Sequence, residues 1–320
     1  MKANALPRIR RLAQVLSLGA ALEASIGLAA IPPDGAVGYG KSVTAPETRA
    51  VRVITKRGGD VTRFYVENNE LCEITMTFDL KAVNLKGTGQ FPFTGTFPPR
   101  QLTEAFTLEP EVADARWEYS YTNYYKLGSQ VAQHDDTFVY QLPYRSGSGF
   151  RVTQGYDGSF SHKGSNKYAI DWKMPEGTPV YAARGGVVVK VKDDSTIGGS
   201  NMKFDAFNNF VLIRHSDGTL GHYCHLQKES SRLHPGDIVQ TGDLLARSGN
   251  TGFSSGPHLH FCVFKTKNGR ERESIPVQFR TSDYGAVTLK EGKKYKATGV
   301  ENVASRSVDT ASAHQGGAVQ

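Results

Sequence analysis

Only three cysteines occur among the 320 residues, Cys72, Cys224 and Cys262. An odd number of thiols cannot complete a set of disulfide bridges, so the protein is no disulfide-stabilised scaffold. No Cys-x-x-Cys pair is present, which excludes the usual spacing of a thiolate zinc finger. We expect free, packed thiols, because cysteine in an interior behaves as a small hydrophobic side chain. A bond between Cys224 and Cys262 stays open.

Positive charge is in modest excess. Lys and Arg number 38 against 31 Asp and Glu, which leaves a net charge of +7. Such a charge suits nucleic acid, an anionic membrane or an acidic wall polymer, and it chooses none of them. No nucleic-acid recognition motif accompanies it, so we expect no nucleic-acid partner. Hydrophobic residues at 38 % and charged residues at 22 % exclude a polytopic membrane protein and a wholly disordered chain.

The one long apolar stretch lies at the N-terminus. Residues 1–11 carry four basic side chains and no acid, and residues 12–30 are apolar except for Gln14 and Glu23. A basic start, an apolar centre and small residues after it are typical of a signal peptide. Glu23 argues against a membrane span of ~20 apolar residues. We predict a signal peptide over residues 1–30, export to the periplasm or beyond, and only transient membrane contact. An amphipathic helix on a cytoplasmic protein is the alternative.

Short strands and turns dominate the chain after residue 30. Residues 31–48 are rich in Gly, Pro and small polar residues and indicate a linker. Apolar and polar side chains then alternate in runs such as Cys72–Leu80, as in half-buried strands. This pattern predicts a β-sandwich accessory domain over residues 49–144. The alternating aromatic row that begins at Trp117 is expected in its core rather than exposed as a sugar-stacking platform.

A second β-rich segment begins near residue 150. Its strand-like runs lie at residues 185–191, 210–214, 220–225 and 258–264. After it, residues 299–320 lose the apolar pattern and are predicted to be disordered. The chain thus divides into two β-rich halves, and no catalytic constellation is present in the first.

Histidines gather in the second half. Seven of the nine lie between His162 and His260, and such a cluster near aspartates favours a metal site. A Gly-rich turn leads into His258-Leu259-His260. Residues i and i+2 of a strand share a face, so both imidazoles point the same way. Either both bind a metal, or one binds it while the other transfers protons.

Two further segments offer partners for this pair. His162 and Asp171 would supply an imidazole nitrogen and a carboxylate oxygen, which with His260 makes three ligands. Three protein ligands with an open fourth position are the arrangement of a catalytic zinc. In a hairpin that turns at Asp217-Gly218, alternation places His225 on the face of Tyr223. We therefore expect His225 on the metal face and His222 off it.

Together these segments resemble the lysostaphin-type, or LytM-like, zinc metallopeptidases that cut bacterial cell-wall peptides. The resemblance covers Val152–Phe279 and rests on the sequence DWKMPEGTPV from Asp171 onwards and on His258-Leu259-His260. It implies an all-β protein in which a LytM-like antiparallel β-sheet metallopeptidase domain, a barrel-sandwich hybrid, over residues 150–298 follows the β-sandwich. It also implies one Zn²⁺ per catalytic domain.

By this resemblance the zinc ligands are His162, Asp171 and His260. The family's catalytic, non-ligand histidines fall on His225 and His258, where they assist the zinc-bound water and stabilise the tetrahedral intermediate. One spacing departs from the commonest pattern, because eight residues rather than three separate His162 from Asp171. Asn166 occupies the closer position, and we interpret the segment as a longer loop. Ligation by Asn166, or by no acid, would put activity in doubt.

The activity implied is zinc-dependent hydrolysis of amide bonds in peptidoglycan stem peptides or cross-links. The alternative is a catalytically silent or latent wall-binding protein that regulates another peptidoglycan hydrolase, although such proteins usually lack a zinc ligand. A carbohydrate- or peptide-binding protein with a structural zinc would need a fourth ligand. Tyr168, Asn209 and Tyr223 are candidate substrate contacts. The bond that is cut, the oligomeric state and the role of the N-terminal domain, including inhibition, stay open.

Overall fold

A computed structural model describes residues 50–299 and, by their backbone alone, two short strands before them. Apart from those two strands and Gly299, the predicted signal peptide, linker and disordered tail lie outside the described residues. No helix in the described part is long and apolar enough to span a membrane.

The described residues form 25 strands and two short 3₁₀ helices, Gly164–Asn166 and Met202–Phe207. In chain order the strands are β1 (Glu23–Gly27), β2 (Gly38–Lys41), β3 (Val51–Gly58), β4 (Val61–Asn68), β5 (Ile74–Val83), β6 (Leu85–Gly87), β7 (Phe93–Phe97), β8 (Gln101–Pro110), β9 (Trp117–Leu127), β10 (Val139–Gln141), β11 (Gly149–Gln154), β12 (Ile170–Lys173), β13 (Pro179–Tyr181), β14 (Gly186–Lys192), β15 (Gly198–Gly199), β16 (Phe210–Arg214), β17 (Leu220–Cys224), β18 (Ile238–Val239), β19 (Leu244–Arg247), β20 (Gly252–Phe253), β21 (His258–Thr266), β22 (Arg272–Ser274), β23 (Gln278–Thr281), β24 (Gly285–Val287) and β25 (Lys294–Lys296). The all-β fold class is confirmed.

Two sheets pack face to face in the N-terminal half. One has the order β1-β9-β5-β7 with β2 beside β9, and the other has the order β3-β4-β8-β6. Aromatic rings fill the space between them, with Phe64 stacked on Phe106 at 4.4 Å and edge-on to Tyr119 at 5.5 Å. Tyr119 and Tyr121 are buried in this core. The predicted sandwich is confirmed, and its aromatic row serves packing.

A larger sheet organises the C-terminal half. Its strands run in the order β18-β14-β16-β17-β21-β12-β11-β25, with β22 beside β21. One face of this sheet buries Trp172, Tyr223 and Phe261 in the main core, where Phe279 from the small sheet β10-β23-β24 meets them. Because neighbouring residues of a strand point to opposite faces, Asp171, His258 and His260 lie on the other face.

The boundary between the halves lies earlier than predicted. Strand β10 pairs in parallel with β23, and Tyr140, Leu142 and Tyr144 pack in the C-terminal core. The C-terminal unit therefore begins before Val139 rather than after residue 144. A strand of three residues is too short to show a hydrophobic period, which is why the sequence pattern does not indicate it.

A buried interface joins the two halves. Leu220 and Phe264, on the site-bearing face of the large sheet, cluster with Cys72 of the sandwich. Arg214 donates two hydrogen bonds, of 2.7 and 2.6 Å, to the carboxylate of Glu73. Such bidentate pairing fixes the orientation of the partners as well as their distance. The sandwich is thus packed onto the large sheet rather than tethered to it.

The replacement Leu220→Ala tests this interface. Removing a buried leucine leaves a cavity, so we expect the free energy of unfolding to fall by about 2–4 kcal/mol. Urea unfolding followed by the fluorescence of Trp117 in the sandwich and Trp172 in the C-terminal core should show both transitions at lower urea. The control Leu102→Ala, at a side chain 48 % exposed, should change stability by under about 0.5 kcal/mol. A transition that moves to lower urea for Trp172 alone would contradict coupling of the two halves.

Candidate metal and catalytic site

Pairing of two strands builds the centre of the site. Asp171 in β12 stands directly opposite His260 in β21, and His260 Nδ1 lies 2.8 Å from Asp171 Oδ1. His162, from the loop before β12, places its Nε2 3.1 Å from the same oxygen. One potential ligand atom from each of these three residues lies within 4.8 Å of the others. The structure thus brings the three predicted ligands together.

The surroundings of His162 fit a metal ion. The residue is fully buried, and its Nδ1 donates to the carbonyl of Gly155 at 2.8 Å. Its Nε2 is buried without a hydrogen-bond partner, an arrangement that normally carries a cost. A nitrogen left free beside a carboxylate is what a metal ligand requires, and two imidazoles with one carboxylate suit zinc.

Gln154 holds the second oxygen of the carboxylate. Its Nε2 donates to Asp171 Oδ2 at 2.9 Å, and its Oε1 accepts from the backbone nitrogens of Phe160 and Ser161 at 3.0 and 2.9 Å. The amide therefore joins the loop that carries His162 to Asp171. Sequence reasoning missed this role, because a glutamine at a strand end has no distinctive spacing. A bulge in β11 between Val152 and Gln154 turns the side chain inwards.

His225 and His258 lie together beside the metal set. Their ring centroids are 4.5 Å apart, and His258 Nε2 is 4.0 Å from Asp171 Oδ1. His225 Nδ1 lies 2.7 Å from the carbonyl of Thr251, and His258 Nδ1 lies 2.8 Å from that of Gly256. A carbonyl only accepts, so in each neutral ring Nδ1 carries the proton and Nε2 is free to accept one.

His225 reaches the site as expected, but the face assigned to β17 is wrong, and so is the expectation that His222 lies off the metal-bearing face. Tyr223 is buried in the main core, so His222 and Cys224 lie on the metal-bearing face. Strand β17 ends at Cys224, and His225 follows with a left-handed backbone, φ 62°. Alternation no longer applies there, and the turn carries the imidazole into the site. His222 stays buried behind it, 3.2 Å from the thiol of Cys224.

Asn166 does not join the metal set. Its Oδ1 accepts a hydrogen bond of 2.6 Å from Arg272 Nη2, in the 3₁₀ turn between His162 and Asp171. The carboxylate beside His162 and His260 is that of Asp171. The segment is therefore a longer loop that leads from one donor to the next.

The charges of the site shift one another's pKa values. Burial alone would raise the pKa of Asp171, but His260, His162 and His258 outweigh it and hold the pKa well below its usual range. For His162, burial works against the charged form, yet Asp171 prevails and raises the pKa. Burial, reinforced by His258 and His260, keeps the pKa of His225 well below its usual value. At neutral pH the carboxylate is ionised and His225 is neutral.

An open groove of about 350 Å³ passes over these residues. The loop before His162 and the loop before His258 form two of its walls, and Phe160 of one stacks on Phe253 of the other at 5.5 Å. Among the described residues, all that line the groove lie between Thr153 and Glu291. The described part of the N-terminal sandwich therefore does not cover it.

Other candidates have structural roles. Tyr223 and Asn209 are buried, and their polar atoms bond inside the protein, the Tyr223 hydroxyl with the backbone nitrogen of Ala183 and Asn209 with Ser195. Neither contacts the groove, and Tyr168 packs on Tyr156. All three cysteines are free and buried. Burial raises the pKa of Cys72 and Cys224 to about 12, which makes these thiols unreactive.

Comparisons with known proteins identify the family of the C-terminal segment. The family model "Peptidase family M23" matches residues 165–273, a segment that contains Asp171, His225, His258 and His260 and begins just after His162. Residues 165–273 form a Peptidase family M23 domain. The resemblance to lysostaphin-type and LytM-like peptidases is thus confirmed for this domain.

Two curated relatives of the M23 domain have named activities. Peptidoglycan DD-endopeptidase ShyA of Vibrio cholerae is 33 % identical over 118 residues, which cover 36 % of this chain and 25 % of that protein. Lysostaphin of Staphylococcus simulans is 29 % identical over 158 residues, covering 49 % and 29 %. The chain thus spans less than a third of the length of either relative. Among solved structures, a mutant catalytic domain of the M23 protein EnpA from Enterococcus faecalis is 26 % identical with a TM-score of 0.32, covering 42 % of this chain and 93 % of that one.

The replacement Gln154→Leu tests the support of Asp171 in the M23 domain. Loss of a hydrogen bond to a metal-binding carboxylate typically lowers metal affinity about 10–100-fold, and we expect a loss of that size for zinc. Competition with a chromophoric chelator measures the affinity without relying on catalysis. The control Ser159→Ala, also in the groove wall, should leave the affinity unchanged. Equal affinities in wild type and Gln154→Leu would show that Asp171 needs no such support.

Zinc affinity should also fall in acid. A proton on His162 competes with the metal, and because the pKa of His162 is raised, this begins above the ordinary value near ~6.5. Asp171, with its lowered pKa, stays ionised throughout. We expect affinity to be nearly constant from about pH 8 upwards and to fall by about tenfold per pH unit below about pH 6. Titration with zinc at stepped pH measures it, and affinity that holds down to about pH 5 would contradict the assignment of His162.

Proposed function

We propose that residues 150–298 form a zinc-dependent endopeptidase that hydrolyses amide bonds in peptidoglycan stem peptides or cross-links. The observation that carries the proposal is the meeting of His162, Asp171 and His260 at the floor of an open groove, beside two histidines with free Nε2 atoms. Three donors and two proton carriers are the parts that metal-assisted amide hydrolysis needs.

His162, Asp171 and His260 would hold the ion, which when bound polarises a carbonyl and lowers the pKa of water. The protein's own part is proton transfer and orientation. His225 and His258 each have Nε2 free to accept a proton from the attacking water and return it to the leaving amine. The carbonyls of Thr251 and Gly256 hold both rings in the required tautomer throughout.

The substrate class follows from the setting of the site. The groove is open, and an extended peptide crosses such a channel more readily than a folded protein does. Among the relatives of the M23 domain are an endopeptidase of peptidoglycan and lysostaphin. A net charge of +7 would draw the protein to an anionic wall. We further propose that the chain is exported through the N-terminal signal peptide, since its substrate lies outside the cytoplasm.

Digestion of purified cross-linked peptidoglycan, followed by mass spectrometry, tests the proposal. The wild-type protein with zinc should convert cross-linked muropeptides to smaller fragments whose masses identify the bond. His260→Ala should lose both zinc and activity. His225→Ala and His258→Ala should retain zinc and lose about 10²–10⁴-fold in rate, the usual contribution of a placed acid or base.

His234→Ala provides the matched control. This histidine lies in a surface turn with its side chain 84 % exposed and should leave zinc and rate unchanged. An intact substrate after incubation with folded, zinc-loaded wild type would contradict the proposal and favour the silent regulator. Full activity of His225→Ala would contradict only the proposed role of His225 in proton transfer.

A further inference from the structure

A row of basic side chains leads away from the active site across the sheet. Lys173 in β12 stands opposite His258, and Arg151 in β11 stands opposite Lys294 in β25. In the antiparallel pairing of β11 with β12, Val152 stands opposite Trp172. One position further along the pair, Arg151 therefore stands opposite Lys173. Residues opposite each other on neighbouring strands share a face. His258, Lys173, Arg151 and Lys294 therefore follow one another on the groove side of the sheet.

This row carries positive charge without local compensation. All three cations are exposed, and within the described part of the chain none of them forms an ion pair within about 4 Å. Like charges directly opposite on adjacent strands destabilise a sheet. Besides Asp171, the one carboxylate lining the described groove is Glu291, whose Oε2 accepts from the backbone nitrogen of Gly155 at 3.4 Å. Binding of an anionic ligand would offset this repulsion between the cations.

The side chains have room to receive one. The Lys294 side chain lies over Gly149, with its Cε 3.0 Å from where a Cβ of that glycine would stand. Arg151 Nη2 lies 3.8 Å from the corresponding position on Gly292. A side chain at Gly149 would press against Lys294, and one at Gly292 would come into contact with the Arg151 guanidinium. The bare backbone leaves a shallow basic surface continuous with the groove, which Lys173 itself lines.

We propose that Lys173, Arg151 and Lys294 form a subsite for carboxylate groups of the peptide substrate. The inference rests on the proposed peptidase function and specifies its substrate as an acidic peptide. Neighbouring strands are ~4.8 Å apart, so the three cations lie about 5, 10 and 14 Å from the strand of His258. An extended peptide advances ~3.4 Å per residue. The carboxylates bound there belong to residues about two to four positions from the cleaved bond.

Carboxylate fits the row better than a phosphate polymer because the row starts inside the catalytic groove. A chain held at Lys173 is already beside His258, and the fork of Arg151 matches a planar carboxylate in two hydrogen bonds. A phosphate polymer would have no reason to enter a peptidase groove.

Paired substrates test the subsite in the full chain loaded with zinc. One is a purified cross-linked muropeptide dimer, and the other is the same dimer with its free carboxylates converted to amides. Wild type should cleave the native dimer with a kcat/KM about 3- to 20-fold higher, mainly through a lower KM, as two or three exposed ion pairs allow. Arg151→Gln combined with Lys294→Gln should reduce this preference to the part that Lys173 alone supplies and leave cleavage of the amidated dimer unchanged. The preference should also weaken in high salt.

Lys81→Gln combined with Lys190→Gln is the matched control. It removes the same charge at two exposed lysines outside the row and should keep the wild-type preference. An Arg151→Gln/Lys294→Gln variant that keeps the full wild-type preference for the native dimer would overturn the subsite. An equal loss of kcat/KM on both dimers would also overturn it, because the row would then act on a group other than the free carboxylates.

Failure of the proposed function would look different. Neither dimer would then be cleaved, and isothermal titration calorimetry of the two dimers would decide the subsite alone. Tighter binding of the native dimer by wild type, and a smaller difference in affinity between the two dimers for the double variant, would support it. Equal binding of both dimers by wild type would overturn it.

Discussion

The pairing of β12 with β21 is the constraint on which the site depends. It sets the buried carboxylate of Asp171 against His260, and a buried carboxylate is tolerated only where it is paired and hydrogen-bonded. A slip of β12 by one residue against β21 would turn Trp172 to the groove and Asp171 into the core. The packing of Trp172 against Phe261 and Phe279 therefore fixes the register, and through it the metal-binding set.

Main-chain carbonyls in irregular segments orient the imidazole rings of the site. Three imidazoles, those of His162, His225 and His258, each direct Nδ1 at a carbonyl. This turns Nε2 of His162 towards Asp171 and leaves Nε2 of His225 and His258 free beside the groove. These carbonyls have to be rigid, and the loops are correspondingly tight. A Cβ on Gly252 would lie 2.7 Å from Asn208, whose side chain accepts from the backbone nitrogen of His225. The turn after Thr251 and the turn at His225 thus hold each other in place.

Strand periodicity accounts for what the sequence predicts well. His258 and His260 share a face because they are two positions apart in one strand, and the alternating runs of the sandwich point inwards as expected. Prediction fails where the backbone leaves the regular strand. His225 reaches the site through a left-handed turn that alternation cannot describe, and Gln154 reaches Asp171 through a bulge. Neither feature has a local pattern in the sequence, since each depends on the strand that packs beside it. The three-residue strand β10 is not predicted for the same reason.

The large sheet also explains why the two halves are packed together. One face of β21 carries His258 and His260 at its beginning and Phe264 near its end, where the sandwich covers it. Both faces of the strand are therefore buried over most of its length, which is why residues 261–264 at its centre form an uninterrupted apolar run. His222, Cys224 and Cys262 lie between the two regions and share their burial. A sandwich that covers the far part of this face packs beside the site while leaving the groove open. Its removal would expose Leu220 and Phe264 to water, so the accessory half belongs to the structure of the site rather than to a detachable cover.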